Sequence, residues 1–92
     1  MPVARKVPRP FEMHWGKGVI AEEAAFEAEY HEPAIQLLEY EDGSLTVRFC
    51  SYNHAGRFQR SALMMGADDF EAMRAELEKA PRLRELLRRL VE

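Results

Sequence analysis

Between Thr46 and Met65 the chain carries Arg48, Arg57 and Arg60 and neither Asp nor Glu, and the same stretch holds Phe49, Tyr52 and Phe58. Guanidinium groups grip phosphates through charge-assisted hydrogen bonds, and aromatic rings stack bases at roughly 1–3 kcal/mol each. Arginines interleaved with aromatics on strands are therefore the residue types of a surface for single-stranded nucleic acid. They are also the types of an ordinary solvent-facing strand that makes cross-strand pairs. The neighbouring sequence sharpens the contrast: from Phe11 to Leu45 there are nine carboxylates and one base, Lys17. Charge is sorted by segment in a chain whose net charge is −3. Such a balance speaks against broad duplex binding, which draws on an overall basic surface, and leaves room for a local basic groove.

The other chemistry-bearing residues are scattered. His14, His31, His54 and Cys50 are zinc-ligand types, but no two stand at a spacing typical of a metal site, so they read as surface or loop residues. His31 lies beside Glu29 and Glu32, yet no nucleophile or oxyanion-type loop accompanies it, so neither catalysis nor a cofactor is expected. Cys50 is the single cysteine and has no intramolecular partner, which points to a reducing, cytoplasmic setting. Arg48 beside it would lower the thiol pKa; burial would leave it inert. Trp15-Gly16-Lys17-Gly18 lacks the spacing and the Lys-Ser/Thr ending of a phosphate loop and reads as a turn.

These residues need a frame. Residues 1–10, with Arg5, Lys6, Arg9 and three prolines, read as a mobile basic arm, and residues 11–92 as one small domain. Residues 11–33 fit two periods at once. Val19 and Ile20 favour a short strand, and Glu22 to Tyr30 combines helix formers with an alternating pattern, read here as extended. Ala34 to Tyr40 is a strand, and Asp42-Gly43 is a hairpin turn, since both residues tolerate positive φ. Leu45 to Tyr52 alternates cleanly, Asn53 to Gly56 is a second turn, and Arg57 to Met65 is a third strand. Asp68 with Glu71 makes an acidic capping box. Phe70, Met73, Leu77 and Ala80 then form an apolar helical stripe, which Leu83, Leu86, Leu87 and Leu90 continue beyond Pro81.

The expected fold class is α+β: an antiparallel meander of three or four strands followed by a C-terminal helix kinked or broken near Pro81. The helix should cover one sheet face and bury Val47 and Phe49, which leaves Arg48 and Tyr52 on the open face. A chain of this size has a thin core, so a homodimer is expected. No apolar run approaches the ~20 residues that span a bilayer, and no membrane association is expected. The basic amphipathic segment PRLRELLRRLVE reads as packing on its own domain or on a second copy.

The stretches LLEYEDGSLTVRFCSYN and GRFQRSALMMGADDFEAMRAEL resemble the positive cofactor four family of single-stranded-DNA-binding transcriptional coactivators. The similarity runs from about Ile35 to Leu77: an aromatic, a turn, an arginine-bearing strand, then Asp-Asp-Phe at a helix start. The resemblance implies a curved antiparallel sheet with a C-terminal helix, a dimer, and single-stranded DNA bound across the strands. It places the contacts at Arg48, Tyr52, Arg57, Phe58 and Arg60. Residues and resemblance together lead to the expectation of a non-enzymatic module for single-stranded DNA or RNA. Arg48, Arg57 and Arg60 would hold phosphates, Tyr52 and Phe58 would stack bases, and the basic arm would add contacts. The competing expectation is a protein-interaction or homodimerisation domain without nucleic-acid binding.

Overall fold

The computed structural model describes residues 5–14, 16–59 and 62–92. Five strands form one antiparallel meander in chain order: β1 (Arg9–Met13), β2 (Gly16–Ala25), β3 (Glu32–Tyr40), β4 (Leu45–Tyr52) and β5 (Leu63–Gly66). A 3₁₀ turn at Ala67–Asp69 leads into α1 (Phe70–Leu77) and then α2 (Pro81–Val91). The sheet thus has five strands where three or four were expected, and two separate helices follow it. β1 starts within the expected arm, and β2 extends the short strand expected at Val19 and Ile20 through the region of ambiguous period. Gly16 to Gly18, expected as a turn, is the start of β2.

The ambiguity has a physical cause. The β2–β3 register shifts between Ile20 and Glu22, so Ala21 is an extra residue in β2. A bulge of this kind reverses the in–out alternation and bends the strand. Ile20 and Glu23 therefore share the inner face, opposite Leu38 and Gln36, while Glu22 faces outward opposite Leu37. No single period runs through the segment.

Gly18 marks a close approach. A Cβ there would collide with the Glu39 carbonyl oxygen. Its neighbours across the ladder are Phe11 and Tyr40. The Phe11 and Tyr40 rings meet edge-to-face, with centroids 5.3 Å apart, and the Tyr40 ring lies against Gly16. At the hairpin of residues 41–44, Gly43 takes φ 89°. The Asp42 carboxylate there accepts from the Ser44 amide and hydroxyl at 2.9 and 2.7 Å.

The core is formed by Phe11, Ile20 and Leu38, with Met13, Tyr40 and Met64 packed against it. Residues of the first and last strands meet here, so the sheet curls around its inner face. The inner face holds Gln36 and Leu38, exposed by 1% and 0%. It also holds Arg48 and Tyr52, exposed by 6% and 8%.

Two expectations are therefore reversed. Arg48 and Tyr52 were placed on an open face, yet they are buried, and Phe49, expected in the core, is more than a third exposed. The helices explain this. Neither α1 nor α2 contains a buried residue. Phe70 reaches a shallow cavity beside Leu37 and Val47, and Leu90 reaches one beside Ile35 and Phe49. Leu77 and Ala80 are half-buried, and Met73, Leu83, Leu86 and Leu87 stay exposed. The radius of gyration, 14.3 Å, exceeds the roughly 12 Å of a close-packed chain of this length. The expected capping box is also missing. Asp68 lies inside the 3₁₀ turn, and no side chain caps α1.

Candidate ligand groove

The curled sheet encloses a groove of about 1120 Å³. One wall is β1 and its turn, residues 9–14; the other is Phe58, Ala62 and Met64. Ile20, Arg48 and Tyr52 line it between the two walls.

Gln36 organises the polar end. It sits between Glu23 on β2 and Arg48 on β4, each its direct cross-strand partner. Arg48 donates from Nε to Gln36 Oε1 at 2.7 Å. Gln36 Nε2 donates to Glu23 Oε2 at 2.7 Å and to the Tyr52 hydroxyl at 2.9 Å. Arg9 closes the network from β1 with a two-pronged contact to Glu23 at 2.9 and 3.0 Å, and a longer one to Tyr52 at 3.3 Å. Outside this set, Arg5 pairs with Glu32 at 2.8 Å and lies 3.7 Å over the Tyr52 ring. Arg5 and Arg9, expected on a mobile arm, are tied to the sheet, and Arg9 and Pro10 begin β1.

The charges do not balance. Arg5 is matched by Glu32 and Arg9 by Glu23. Arg48 has no carboxylate partner among the described residues; its Nε is held by Gln36 and its guanidinium lies 4.6 Å over the Phe58 ring. A buried cation without a counter-charge is costly, and an anion or an array of acceptors in the groove would relieve it.

The titrating groups respond to the same network. Burial pushes the Glu23 carboxyl up, but the hydrogen bonds from Arg9 and Gln36 outweigh this and hold its pKa below the usual range. Arg9 is raised by Glu23. Burial pushes the Cys50 thiol up, against the opposing pull of Arg48. Its Sγ lies 3.3 Å from Gln36 Oε1, and the raised pKa fits an unreactive thiol rather than an activated one.

A second cluster lies in the loops. His54 in the β4–β5 connection contacts the Glu29 carbonyl at 3.1 Å, Glu32 at 3.3 Å and Glu27 at 3.6 Å. The Glu29 carbonyl, then Glu32, then Glu27 raise its pKa. One ligand-type atom each from Glu27, Glu32 and His54 lies within 4.8 Å of the others, close enough to hold a metal ion. Sequence spacing hid this cluster because the three residues come from two loops and a strand end.

The residues singled out from sequence are thus dispersed. Arg48 and Tyr52 are on the inner face, and Phe58, bridged to Tyr52, is on the groove wall. Arg57 is exposed in the loop, its amide held by Asn53 Oδ1 at 2.8 Å. Arg60 lies outside the described residues, and β5 begins only at Leu63, not at Arg57. Tyr52 has little free surface. Arg5 covers one part of its ring, the Phe58 ring meets it edge-on at 5.5 Å, and its hydroxyl is taken. Sequence reasoning missed Gln36, Glu23 and Phe11, and had Arg9 on a mobile arm rather than in β1. Gln36 had a signal, an amide inside the apolar run Ile35 to Leu38.

The groove offers fixed donors and ring faces, which is the chemistry of recognition. Among the described residues no helix is long and apolar enough to cross a membrane. No protein-family model matches the chain, and comparison with curated proteins and with solved structures finds no match.

Proposed function

We propose that the chain is a non-enzymatic module that holds single-stranded DNA or RNA in the groove and works as a homodimer. The observation that carries the reading is Arg48, a buried cation without a carboxylate partner among the described residues, in a groove edged by Phe11 and Phe58. Single strands are bound where positive charge and stacking surfaces coincide. The roles differ from those expected: Tyr52 holds Gln36 and Arg9 in place, Phe58 offers a ring face to a base, and exposed Arg57 meets phosphates at the rim. Of the carboxylates near the groove, Glu23 is neutralised by Arg9 and Glu32 by Arg5, and Glu12 stands on the β1 wall.

The dimer reading rests on the opposite face. Leu83, Leu86, Leu87 and Leu90 of α2 are all exposed, as are Phe49 and Leu63 on the outer face of the sheet. The helix carries Arg82, Arg84, Arg88 and Arg89 beside its leucines, while the sheet's outer face carries Glu22 and Glu39. Basic helix and acidic, apolar sheet face are complementary, so a second copy fits both at once.

Fluorescence anisotropy with a labelled mixed-sequence single strand at low and moderate salt, with a duplex control, tests the ligand. Binding should prefer the single strand and weaken steeply with salt; absence of binding at low salt would remove the reading. Light scattering coupled to gel filtration tests the assembly. Leu86→Asp should convert dimer to monomer with helix content intact, because Leu86 is 57% exposed within the single chain. A wild-type protein monomeric throughout would refute it.

A further inference from the structure

Glu27 follows β2, Glu32 opens β3 opposite Tyr52 at the close of β4, and His54 stands just beyond in the β4–β5 connection. The His54 imidazole is held from one side. Its Nε2 lies 3.1 Å from the Glu29 carbonyl oxygen. A carbonyl oxygen only accepts, so Nε2 carries the proton and donates it. In the neutral ring Nδ1 then presents a bare lone pair. It faces Glu32 Oε2 at 3.3 Å and Glu27 Oε2 at 3.6 Å. Carboxylates also only accept. Three lone-pair atoms therefore converge, and what belongs among them is a cation: a proton on Nδ1 or a metal ion.

The distances favour the metal. Hydrogen bonds between nitrogen and oxygen centre near roughly 2.9–3.0 Å, and charge-assisted ones are shorter. By that measure the Glu32 contact is long and the Glu27 contact is no hydrogen bond. Zinc binds imidazole nitrogen and carboxylate oxygen tetrahedrally at about 2.0–2.2 Å, which sets its ligand atoms roughly 3.3 Å apart. The three ligand atoms here all lie within 4.8 Å of one another.

The supporting contacts are in place as well. A ligating histidine commonly donates its other N–H to a backbone carbonyl, as His54 does to Glu29. The Glu32 side chain is only 7% exposed, and Arg5 donates to its other oxygen at 2.8 Å. One imidazole with two carboxylates suits a transition metal such as zinc, whereas calcium and magnesium take oxygen ligands alone.

We infer that Glu27, Glu32 and His54 form a site for a divalent transition-metal ion of the zinc type, with a fourth position left for water. The ion would tie the β2–β3 connection to the β4–β5 connection. The inference stands apart from the nucleic-acid reading of the groove.

The test uses the tag-free full chain, stripped with a chelator and titrated with zinc chloride by calorimetry. Zinc should bind at one ion per chain. With free zinc at about 100 times Kd, Tm should rise by roughly 10 °C. His54→Ala and Glu27→Gln should each weaken binding at least tenfold and remove most of that rise. Both side chains are exposed, at 43% and 39%, so the fold should survive either change. His31→Ala, another exposed histidine, should leave both readings unchanged. Magnesium in excess should not displace the zinc.

Absence of zinc binding by the wild type would overturn the inference and leave a proton on Nδ1. Zinc bound equally well by His54→Ala or by Glu27→Gln would overturn it too, because other donors would then hold the ion. Loss of binding in His31→Ala would do the same.

Discussion

Replacing Gln36 by leucine tests whether the inner face is one coupled network. The side chain is 1% exposed, so no water can take its place without repacking. Three strong contacts vanish: Arg48 Nε at 2.7 Å, Glu23 at 2.7 Å and the Tyr52 hydroxyl at 2.9 Å. Glu23 keeps both prongs of Arg9, and Tyr52 keeps the longer Arg9 contact. Arg48 Nε keeps nothing. Hydrogen bonds to charged groups contribute about 1.5–3 kcal/mol each, and an orphaned buried donor costs a further 1–3 kcal/mol or so. Leucine's apolar burial offsets part of this. The expected loss is about 3 kcal/mol, read from urea midpoints at constant m, or roughly 15 °C in Tm. A domain of this size holds about 5–14 kcal/mol in all, so the variant should still fold.

The decisive measurement is the double variant Gln36→Leu/Arg48→Met. Removing both partners leaves no orphan, so the pair should be more stable than Gln36→Leu alone, with a coupling of about 2 kcal/mol. If Gln36→Leu costs under about 1 kcal/mol, or the two changes simply add, the buried charge is not held by this amide and the reasoning fails.

Two further outcomes follow from the geometry. Gly18→Ala should be among the most damaging single-methyl additions in the sheet, because its Cβ would collide with the backbone of Glu39 and Tyr40 on β3; a thermal melt within about 2 °C of wild type would contradict the close approach. The His54 pKa is raised in the folded state, so its stabilisation is fully present below about pH 6.5 and is lost as pH rises through the raised value. His54→Ala should therefore flatten the fall in urea midpoint on going from about pH 5 to about pH 8, and an unchanged slope would remove His54 from the linkage.

Much of the architecture was legible in the residues. Asp42-Gly43 marked its hairpin because few residue pairs accept that turn, and Gly43 does adopt positive φ. The alternation of Leu45 to Tyr52 put Val47 and Phe49 on one face and Arg48 and Tyr52 on the other, as the β3–β4 register has them. Strands before helices led to α+β, and Pro81 stands at the first turn of its own helix. Arg57 was misplaced in a strand because its alternation with Phe58 resembles one, whereas Asn53 side-chain bonds hold it in a loop.

Alternation within one strand decides which residues share a face, and the sequence of β4 alone sufficed for that. Which face becomes the interior is a property of the whole sheet. It depended on the bulge at Ala21, which scrambled the period of β2, on the pairing of β1 with β2, and on the contact of Phe11 with Tyr40. Those features curled the sheet towards its arginine side and left the apolar outer face to the helices. Burial is a sum over contacts distant in sequence, and no local pattern around Arg48 contains Glu23, Gln36 and Arg9. Only the tertiary structure could turn a strand arginine into a buried one held by Gln36.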